Sequence, residues 1–306
     1  MKKSKVLIST SSIAQKTIDT LSNSSFDIVI NKYGKKLTVD QLLELGYGCN
    51  GIIAGLEKYS SKVINKLPEL KVISRLGIGT DNIDIKAAKQ NGIKIYTTSS
   101  PAPAVAELAL GLMIDLARNI SLSNNSIKNQ SWEKNIGSLL KNKTLGIIGM
   151  GSIGKELVKL VEGFNFRILA YDKVIDENFK IKYNIEYSAL NTLLRKSDII
   201  SIHLNSNEKT HNLINKKKLK LINSTSYLIN TSRGEIIDED ALYESLKENR
   251  IAGAGIDVFN KEPYFGPLTK LNNVVLTPHI GSYAKETRKI METEAVNNLI
   301  KGLNEI

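Results

Sequence analysis

The stretch Lys143-Thr-Leu-Gly-Ile-Ile-Gly149-Met-Gly-Ser-Ile-Gly154 decides the fold. Its apolar run is typical of a buried strand, and apolar residues at helical spacing follow it. Glycines at 149, 151 and 154 lie where the strand turns into the helix. Asp172 ends the next apolar run, 23 residues after Gly149. This strand, glycine turn, helix and second strand together predict a dinucleotide-binding unit.

Each residue of this unit has a distinct task in binding a dinucleotide. Gly149 permits the tight turn, Gly151 lets a pyrophosphate approach the backbone, and Gly154 allows close packing of helix on strand. Asp172 is placed to accept hydrogen bonds from ribose hydroxyls, and its charge repels a 2′-phosphate. We therefore expect NAD rather than NADP. The alternative is that the glycines only turn a strand into a helix.

Strands and helices alternate on both sides of this stretch, which predicts parallel sheets with helices on both faces. The second series contains six predicted strands (143–149, 167–172, 198–203, 226–230, 252–257 and 273–277). The first contains five (6–8, 26–30, 51–54, 71–74 and 93–96), with helices predicted over 38–45, 61–67 and 84–90 and a long helix over 104–119. A polar tract, 121–131, is expected to connect the two series.

We expect an α/β protein of two doubly wound parallel-sheet domains. One is a flavodoxin-like substrate domain made of residues 1–98 and 284–306, because the final helix, 284–303, is expected to return to it. The other is a Rossmann-type NAD domain over residues 99–283.

Composition excludes several classes of protein. The chain has 306 residues, a formal net charge of +11 and one cysteine, Cys49, so an intrachain disulfide and a cysteine-based zinc site are excluded. We expect no metal. The first residues resemble the basic start of a signal peptide, but the following apolar run is short and predicts a strand. Lysines are dispersed and no nucleic-acid motif is present. We expect a cytoplasmic protein that binds neither membrane nor nucleic acid.

Three candidate catalytic side chains follow three predicted strands, where open α/β sheets bind ligands. Arg233 can grip a substrate carboxylate and polarise a carbonyl. His279 can exchange the proton of a secondary alcohol, and Glu262 can orient this imidazole. This set suits hydride transfer between a 2-hydroxy acid and NAD. Taken singly, each residue also suits a surface charge or a strand-end filler.

The chain resembles the D-isomer-specific 2-hydroxyacid dehydrogenases along nearly its whole length. The segments that carry the resemblance are Ser74–Asp84, Ala106–Met113, Lys143–Gly154, Asn230–Leu242, Gly253–Pro263 and Thr277–Ser282. Among subfamilies it is most similar to the phosphoglycerate dehydrogenases that open serine synthesis, in a short form without a C-terminal regulatory extension.

The resemblance implies an active site in the cleft between the domains, with Arg233, Glu262 and His279 as catalytic residues. It implies that the N–H groups of Ile78 and Gly79 hold the substrate carboxylate. It also implies a homodimer through the cofactor domain, with 104–140 as its interface. The cofactor contacts implied are Gly149, Gly151, Ser152, Ile153, Gly154, Asp172, Leu204, Thr231, Ser232, Asp257 and Gly281.

One departure concerns the substrate, a small anionic 2-hydroxy or 2-oxo acid. Ala54 stands where several phosphoglycerate-specific members have an arginine. We expect 3-phosphoglycerate as substrate, with Arg75 binding its phosphate; Lys58 and the partner's Lys134 are further candidates. Glyoxylate/hydroxypyruvate reduction, or another D-2-hydroxyacid dehydrogenase activity, is the alternative. A non-catalytic NAD sensor is a third hypothesis, which turnover by the purified protein would exclude.

Overall fold

The computed structural model describes residues 3–24 and 26–305. Met1, Lys2, Ser25 and Ile306, which the predicted domains include, lie outside the described residues. The chain forms two compact units. The first runs to Pro101 and resumes at Ala284, and the second runs from Ala102 to Tyr283.

The first unit contains one parallel sheet in the order β2-β1-β3-β4-β5. The connection changes direction between β1 and β3, the kind of switch point at which open sheets bind ligands. Its elements are β1 (Lys5–Ile8), α1 (Gln15–Ser22), β2 (Asp27–Ile30), α2 (Val39–Gly46), β3 (Gly51–Ala54), α3 (Ser61–Ile64), β4 (Val72–Arg75), α4 (Ile85–Gln90) and β5 (Lys94–Thr97).

The second unit contains a parallel sheet in the order β12-β11-β10-β9-β6-β7-β8. Its elements are α5 (Ala102–Arg118), α6 (Ile120–Lys128), β6 (Thr144–Ile148), α7 (Ser152–Leu160), β7 (Arg167–Tyr171), α8 (Glu177–Lys182), β8 (Glu186–Tyr187), α9 (Leu190–Lys196), β9 (Ile199–Ile202), α10 (Lys216–Leu219), β10 (Tyr227–Asn230), α11 (Glu239–Lys247), β11 (Gly253–Ile256) and β12 (Val274–Leu276). Short 3₁₀ turns lie at Glu162–Phe164, Gly234–Ile236 and Pro267–Lys270.

The final helix, α12 (Lys285–Asn304), packs on the first sheet. Leu299 and Ala295 are buried with residues of β1, β3 and β4, and the Ser74 hydroxyl donates to the Ala295 carbonyl at 2.7 Å. The helix therefore completes the core on one face of a sheet that begins 280 residues earlier, at Lys5.

Three elements differ from the predictions. The second sheet has seven strands, whereas the sequence predicts six. The additional strand is β8, which the prediction missed because it is only two residues long and has no apolar run of its own. Helix α1 was not predicted; its N-cap residue is Ala14, which has no side-chain acceptor, and the Ala14 N–H donates to Glu292 Oε2 at 2.9 Å. The tract 121–131 is not merely a connection, since most of it forms α6, a polar helix without a buried residue.

No helix within residues 3–24 and 26–305 combines the length and apolar character that crossing a membrane requires.

Candidate active site

The glycine turn after β6 has the geometry that its sequence predicts. Gly149 has φ +100°, and a Cβ there would lie 2.6 Å from the His203 carbonyl oxygen. A Cβ at Gly154 would lie 2.4 Å from the Gly149 carbonyl, whereas one at Gly151 would have no described atom within 4 Å. The first and third glycines therefore serve packing, and the second faces open space that a ligand can enter.

Asp172 fastens this turn to the end of β7. Its Oδ2 accepts from the Met150 N–H at 2.6 Å, and its Oδ1 accepts from the N–H groups of Lys173 at 2.6 Å and Val174 at 3.1 Å. The carboxylate thus lies beside the glycine turn, where a bound dinucleotide presents its ribose. It also has a structural task that the sequence did not indicate.

The residues present fit NAD. Helix α7 starts at Ser152 and Ile153 without a side-chain cap among the described residues, so its first turn can bind a pyrophosphate. The hydroxyl of Thr231 after β10 and the Nδ1 of His203 after β9 are buried without a hydrogen-bond partner in the described chain. Buried polar atoms of this kind call for a ligand or water. Leu204 is half-buried next to Gly149.

The turn after β10 presents Arg233. Asn230 folds this turn, because its Oδ1 accepts from the Ser232 N–H at 3.1 Å and hydroxyl at 2.8 Å, and its Nδ2 donates to the Arg233 carbonyl at 2.9 Å. The half-buried guanidinium donates to the Ser232 carbonyl at 2.8 Å. Asn230 is a positioning residue that we did not assign, although its place before Thr-Ser-Arg was a usable signal.

Glu262 and His279 form a pair, as expected for a carboxylate that orients an imidazole. His279 Nδ1 lies 3.1 Å and 3.0 Å from the two carboxylate oxygens of Glu262, and Glu262 Oε1 also accepts from the Phe259 N–H at 3.2 Å. The side chains are 26% and 21% exposed, so solvent reaches both only in part. With Nδ1 directed at Glu262, Nε2 is the nitrogen that can exchange a proton with a substrate.

The loops that carry Arg233, Glu262 and His279 follow the neighbouring strands β10, β11 and β12. Gly234 lies so close to the second loop that a Cβ would be 2.1 Å from the Phe259 carbonyl carbon. The fold therefore brings the three predicted catalytic side chains to one edge of one sheet.

Asp257 holds the loop on which His279 lies. It is fully buried and accepts from the Thr277 hydroxyl at 2.6 Å, the Ile280 N–H at 2.8 Å and the Gly281 N–H at 2.9 Å. Burial raises the pKa of its carboxyl, and these hydrogen bonds act in the opposite direction. Asp257 and Gly281, both predicted to contact the cofactor, thus bind each other.

In the first unit, the loop after β4 carries Ile78 and Gly79, whose N–H groups are predicted to bind the substrate carboxylate. Gly77 has φ +146°, Ile78 is 53% exposed and Gly79 is partly exposed. Arg75 does not project from the mouth of this loop as predicted; it is 5% exposed and donates to the Leu76 carbonyl. As the last residue of a strand buried along its length, it turns inward against Gly77, where a Cβ would lie 2.7 Å from its Nη1.

A buried polar cluster at the same sheet edge was missed. The Ser9 hydroxyl lies 3.0 Å from Glu57 Oε2 and 2.8 Å from the Tyr59 hydroxyl. All three residues are at most 1% exposed. The available signal was an acidic residue three positions after a wholly apolar strand. Within residues 3–24 and 26–305, no group of three or more His, Cys, Asp or Glu side chains is placed to hold a metal ion.

Comparisons with known proteins agree with this geometry. Residues 110–281 match the family model "D-isomer specific 2-hydroxyacid dehydrogenase, NAD binding domain". A glyoxylate reductase of Thermococcus litoralis is 40% identical over 257 residues, which cover 80% of this chain and 77% of that protein. A D-3-phosphoglycerate dehydrogenase of Methanocaldococcus jannaschii is 36% identical over 87% of this chain and 52% of its own length.

Among solved structures, a protein from Thermus thermophilus superimposes with a TM-score of 0.90 at 30% identity, covering 98% of this chain and 97% of that one. Because both the NAD-binding domain and relatives well above 30% identity match, the chain belongs to the D-isomer specific 2-hydroxyacid dehydrogenases, NAD-dependent oxidoreductases of small 2-hydroxy and 2-oxo acids.

Proposed function

We propose that this dehydrogenase reduces small unphosphorylated 2-oxo acids, glyoxylate or hydroxypyruvate, to the corresponding 2-hydroxy acids. The observation that carries the proposal is the inward turn of Arg75, the cation we expected to bind a substrate phosphate. Ala54, its register partner on β3, is fully buried and uncharged. The name of the Thermococcus litoralis relative supports the same substrate class.

In the proposed mechanism, NADH would supply the hydride when it is bound at the glycine turn. Arg233 binds the substrate carboxylate and polarises the keto oxygen, which gains negative charge as the hydride arrives. Protonated His279 gives its Nε2 proton to this oxygen, and Glu262 stabilises the imidazolium at Nδ1. In the oxidative direction the same imidazole removes the hydroxyl proton.

The backbone supplies the remaining contacts of the proposal. The N–H groups of Ile78 and Gly79 bind the substrate carboxylate, as the resemblance implies. When NAD is bound, the N–H groups of Ser152 and Ile153 would hold the pyrophosphate and Asp172 would hold the ribose. The proposed contacts at the nicotinamide end are Thr231, Ser232, Asp257 and Gly281, and Leu204 lies beside the adenosine.

A second candidate is oxidation of 3-phosphoglycerate, the first step of serine synthesis, which the Methanocaldococcus jannaschii relative favours by its name. This activity needs a cation for the phosphate. Lys58 and Lys134 are exposed and chemically suited, with Lys134 contributed by a second copy of the chain.

Initial rates from NADH absorbance separate the candidates. Glyoxylate, hydroxypyruvate and 3-phosphohydroxypyruvate are compared at equal concentration, with D-glycerate and 3-phospho-D-glycerate plus NAD as the reverse pair. We expect kcat/KM to favour the unphosphorylated acids at least about tenfold, or about 1.4 kcal/mol. A preference for the phosphorylated acid would favour the second candidate, and binding of NADH without any turnover would favour an NAD sensor.

We also propose a homodimer through residues 104–140 of the NAD domain. Trp132, Ile136 and Leu139 are 81%, 98% and 72% exposed in the single chain, which is costly for side chains of this size. Light scattering after gel filtration should give twice the mass of the 33.8 kDa chain. Replacing Trp132 and Ile136 with Ser should yield a monomer, whereas a wild-type monomer would contradict the proposal.

A further inference from the structure

The cluster of Ser9, Glu57 and Tyr59 lies at the switch point of the first sheet. Ser9 follows β1 directly, and Glu57 lies three residues beyond the end of β3. Ligands of open α/β sheets bind outside the carboxyl ends of strands at this point. None of the three side chains has a role in the proposed hydride transfer.

Glu57 accepts hydrogen bonds from groups at this edge that could otherwise donate to a bound anion. Its Oε2 accepts from the Gly55 N–H at 3.0 Å and from the Ser9 hydroxyl at 3.0 Å. The side chain is 1% exposed. A carboxylate of the chain itself therefore accepts the hydrogen bonds that these two donors could otherwise give to an anion at this edge.

Hydrogen bonds rather than an ion pair hold the carboxyl group of Glu57. Across residues 3–24 and 26–305 it has no ion pair, and burial raises the pKa of its carboxyl while hydrogen bonds from Ser9 and Gly55 act against that rise. Burial also raises the pKa of Tyr59 well above its usual value, and the neighbouring charge of Glu57 adds to this. The charges of Glu57 and Arg75 thus act on Tyr59 in opposite directions, and Glu57 is the one that is hydrogen-bonded to Ser9 and Gly55.

The turn that carries Glu57 is tied to the loop proposed to bind the substrate. Asn82 Nδ2 donates to the Gly55 carbonyl at 3.1 Å and to the Glu57 carbonyl at 2.7 Å. Asn82 belongs to the segment that continues from Ile78 and Gly79. The carboxylate and the substrate-binding loop therefore keep a fixed relation.

We propose that Glu57 is a specificity-determining residue that excludes 2-oxo acids with a second anionic group, above all a phosphate, at the end remote from the carboxylate. The substrate class is then a small 2-oxo acid whose remote end is neutral. This inference rests on the proposed function, because it concerns the same bound substrate.

The test compares hydroxypyruvate with 3-phosphohydroxypyruvate, which differ only in the phosphate. For wild type and Glu57→Gln, kcat/KM is measured with both acids and NADH. We expect Glu57→Gln to raise the ratio of phosphorylated to unphosphorylated rates by about tenfold or more, since a like charge at close range disappears. Tyr59→Phe removes a hydroxyl from the same cluster but no charge, and should leave the ratio unchanged.

Each outcome separates the two proposals. The wild-type ratio tests the proposed function, whereas its change in Glu57→Gln tests the role of Glu57. An unchanged ratio in Glu57→Gln, or an equal rise in Tyr59→Phe, would overturn the inference even if hydroxypyruvate is the better substrate. If near-ultraviolet circular dichroism finds Glu57→Gln unfolded, Glu57→Met removes the same charge, and the same rise in the ratio is required of it.

Discussion

His279 owes its orientation to neighbours on two sides. On one side, the Nδ1 of His279 is hydrogen-bonded to the carboxylate of Glu262. On the other, the backbone N–H of His279 donates to the Asp257 carbonyl at 2.9 Å, and His279 has φ +56°. A left-handed conformation is uncommon outside glycine and asparagine, so the surrounding hydrogen bonds must stabilise it. The imidazole is thus fixed before any substrate binds.

Replacing His279 with Gln should lower kcat by roughly 10²–10⁴-fold, because a positioned proton donor is lost. The dissociation constant for NADH, measured by fluorescence titration, should change little, since the glycine turn is intact. His211→Gln is the matched control, because His211 is exposed. A His279→Gln enzyme with more than about a third of wild-type kcat, while chemistry limits the rate, would exclude this proton transfer.

Asp172 accepts a hydrogen bond from the Met150 N–H and is the residue that we propose to bind the ribose. Asp172→Asn removes the charge but keeps an acceptor oxygen, whereas Asp172→Ala removes both. We expect both variants to lose discrimination against NADPH by roughly 1–3 kcal/mol, and Asp172→Ala to lose more stability than Asp172→Asn, which keeps one of the two acceptor oxygens. Dissociation constants for NADH and NADPH beside thermal melts test this. If the ratio of the dissociation constants for NADH and NADPH is unchanged in both variants, Asp172 is not the residue that binds the ribose.

At the scale of elements, the glycines at the junction of β6 and α7 have different tasks: one is needed for folding stability and another for cofactor binding. Gly151→Ala adds a methyl group in open space, and Gly154→Ala adds one 2.4 Å from a carbonyl oxygen. Gly151→Ala should melt like wild type but weaken NADH binding about tenfold or more, because the methyl group meets the pyrophosphate. Gly154→Ala should lose roughly 1–3 kcal/mol of folding stability through overpacking. Equal effects in the two variants would contradict these separate tasks.

His203, at the end of β9, is expected to make the folding stability depend on pH. Burial lowers the pKa of His203 from 6.5 to about 4. Between these two pH values the unfolded chain binds a proton at His203 and the folded chain does not. The free energy of unfolding is therefore highest above pH 6.5 and decreases by up to roughly 3 kcal/mol as the pH falls toward about 4.

Urea unfolding of wild type and His203→Gln between pH 4 and 7 tests this loss, because the difference between the two proteins removes other titrating groups. His211→Gln again serves as the control. The variant should have a shallower pH dependence, and parallel curves would mean that His203 already binds its proton in the folded state.

At the scale of the whole molecule, the chain leaves the first sheet and returns to it only in α12. Leu299 is fully buried there, and a Cβ at Gly51 would lie 2.7 Å from its Cδ1. Leu299→Ala should destabilise the first unit by roughly 2–5 kcal/mol through the cavity it leaves. NADH binding should persist, because the second unit has its own core.

Leu246→Ala, a buried leucine of the second unit, is the matched control and should weaken NADH binding as stability falls. Thermal melts with and without NADH, beside titrations, measure both effects. Loss of NADH binding in Leu299→Ala at a temperature where Leu246→Ala still binds would contradict separate cores.

Local patterns in the sequence were sufficient for the alternation of strands and helices, the tasks of Gly149 and Gly154, and the pairing of Glu262 with His279. These follow from apolar periodicity and from the rule that parallel strands present their carboxyl ends at one edge. The match to the family model and to relatives then confirmed the NAD-dependent chemistry.

Only the tertiary structure decided where polar side chains turn at the strand ends. Arg75, expected at the mouth of a loop, points inward because its strand is buried on both faces. The carboxylate of Asp257 accepts hydrogen bonds from the loop that carries His279. Glu57 looks like a surface charge in the sequence but is buried among Ser9, Gly55 and Tyr59. Periodicity predicts which face of a strand is apolar, but hydrogen-bond partners distant in sequence determine whether a charge beyond its end meets solvent, substrate or the chain itself.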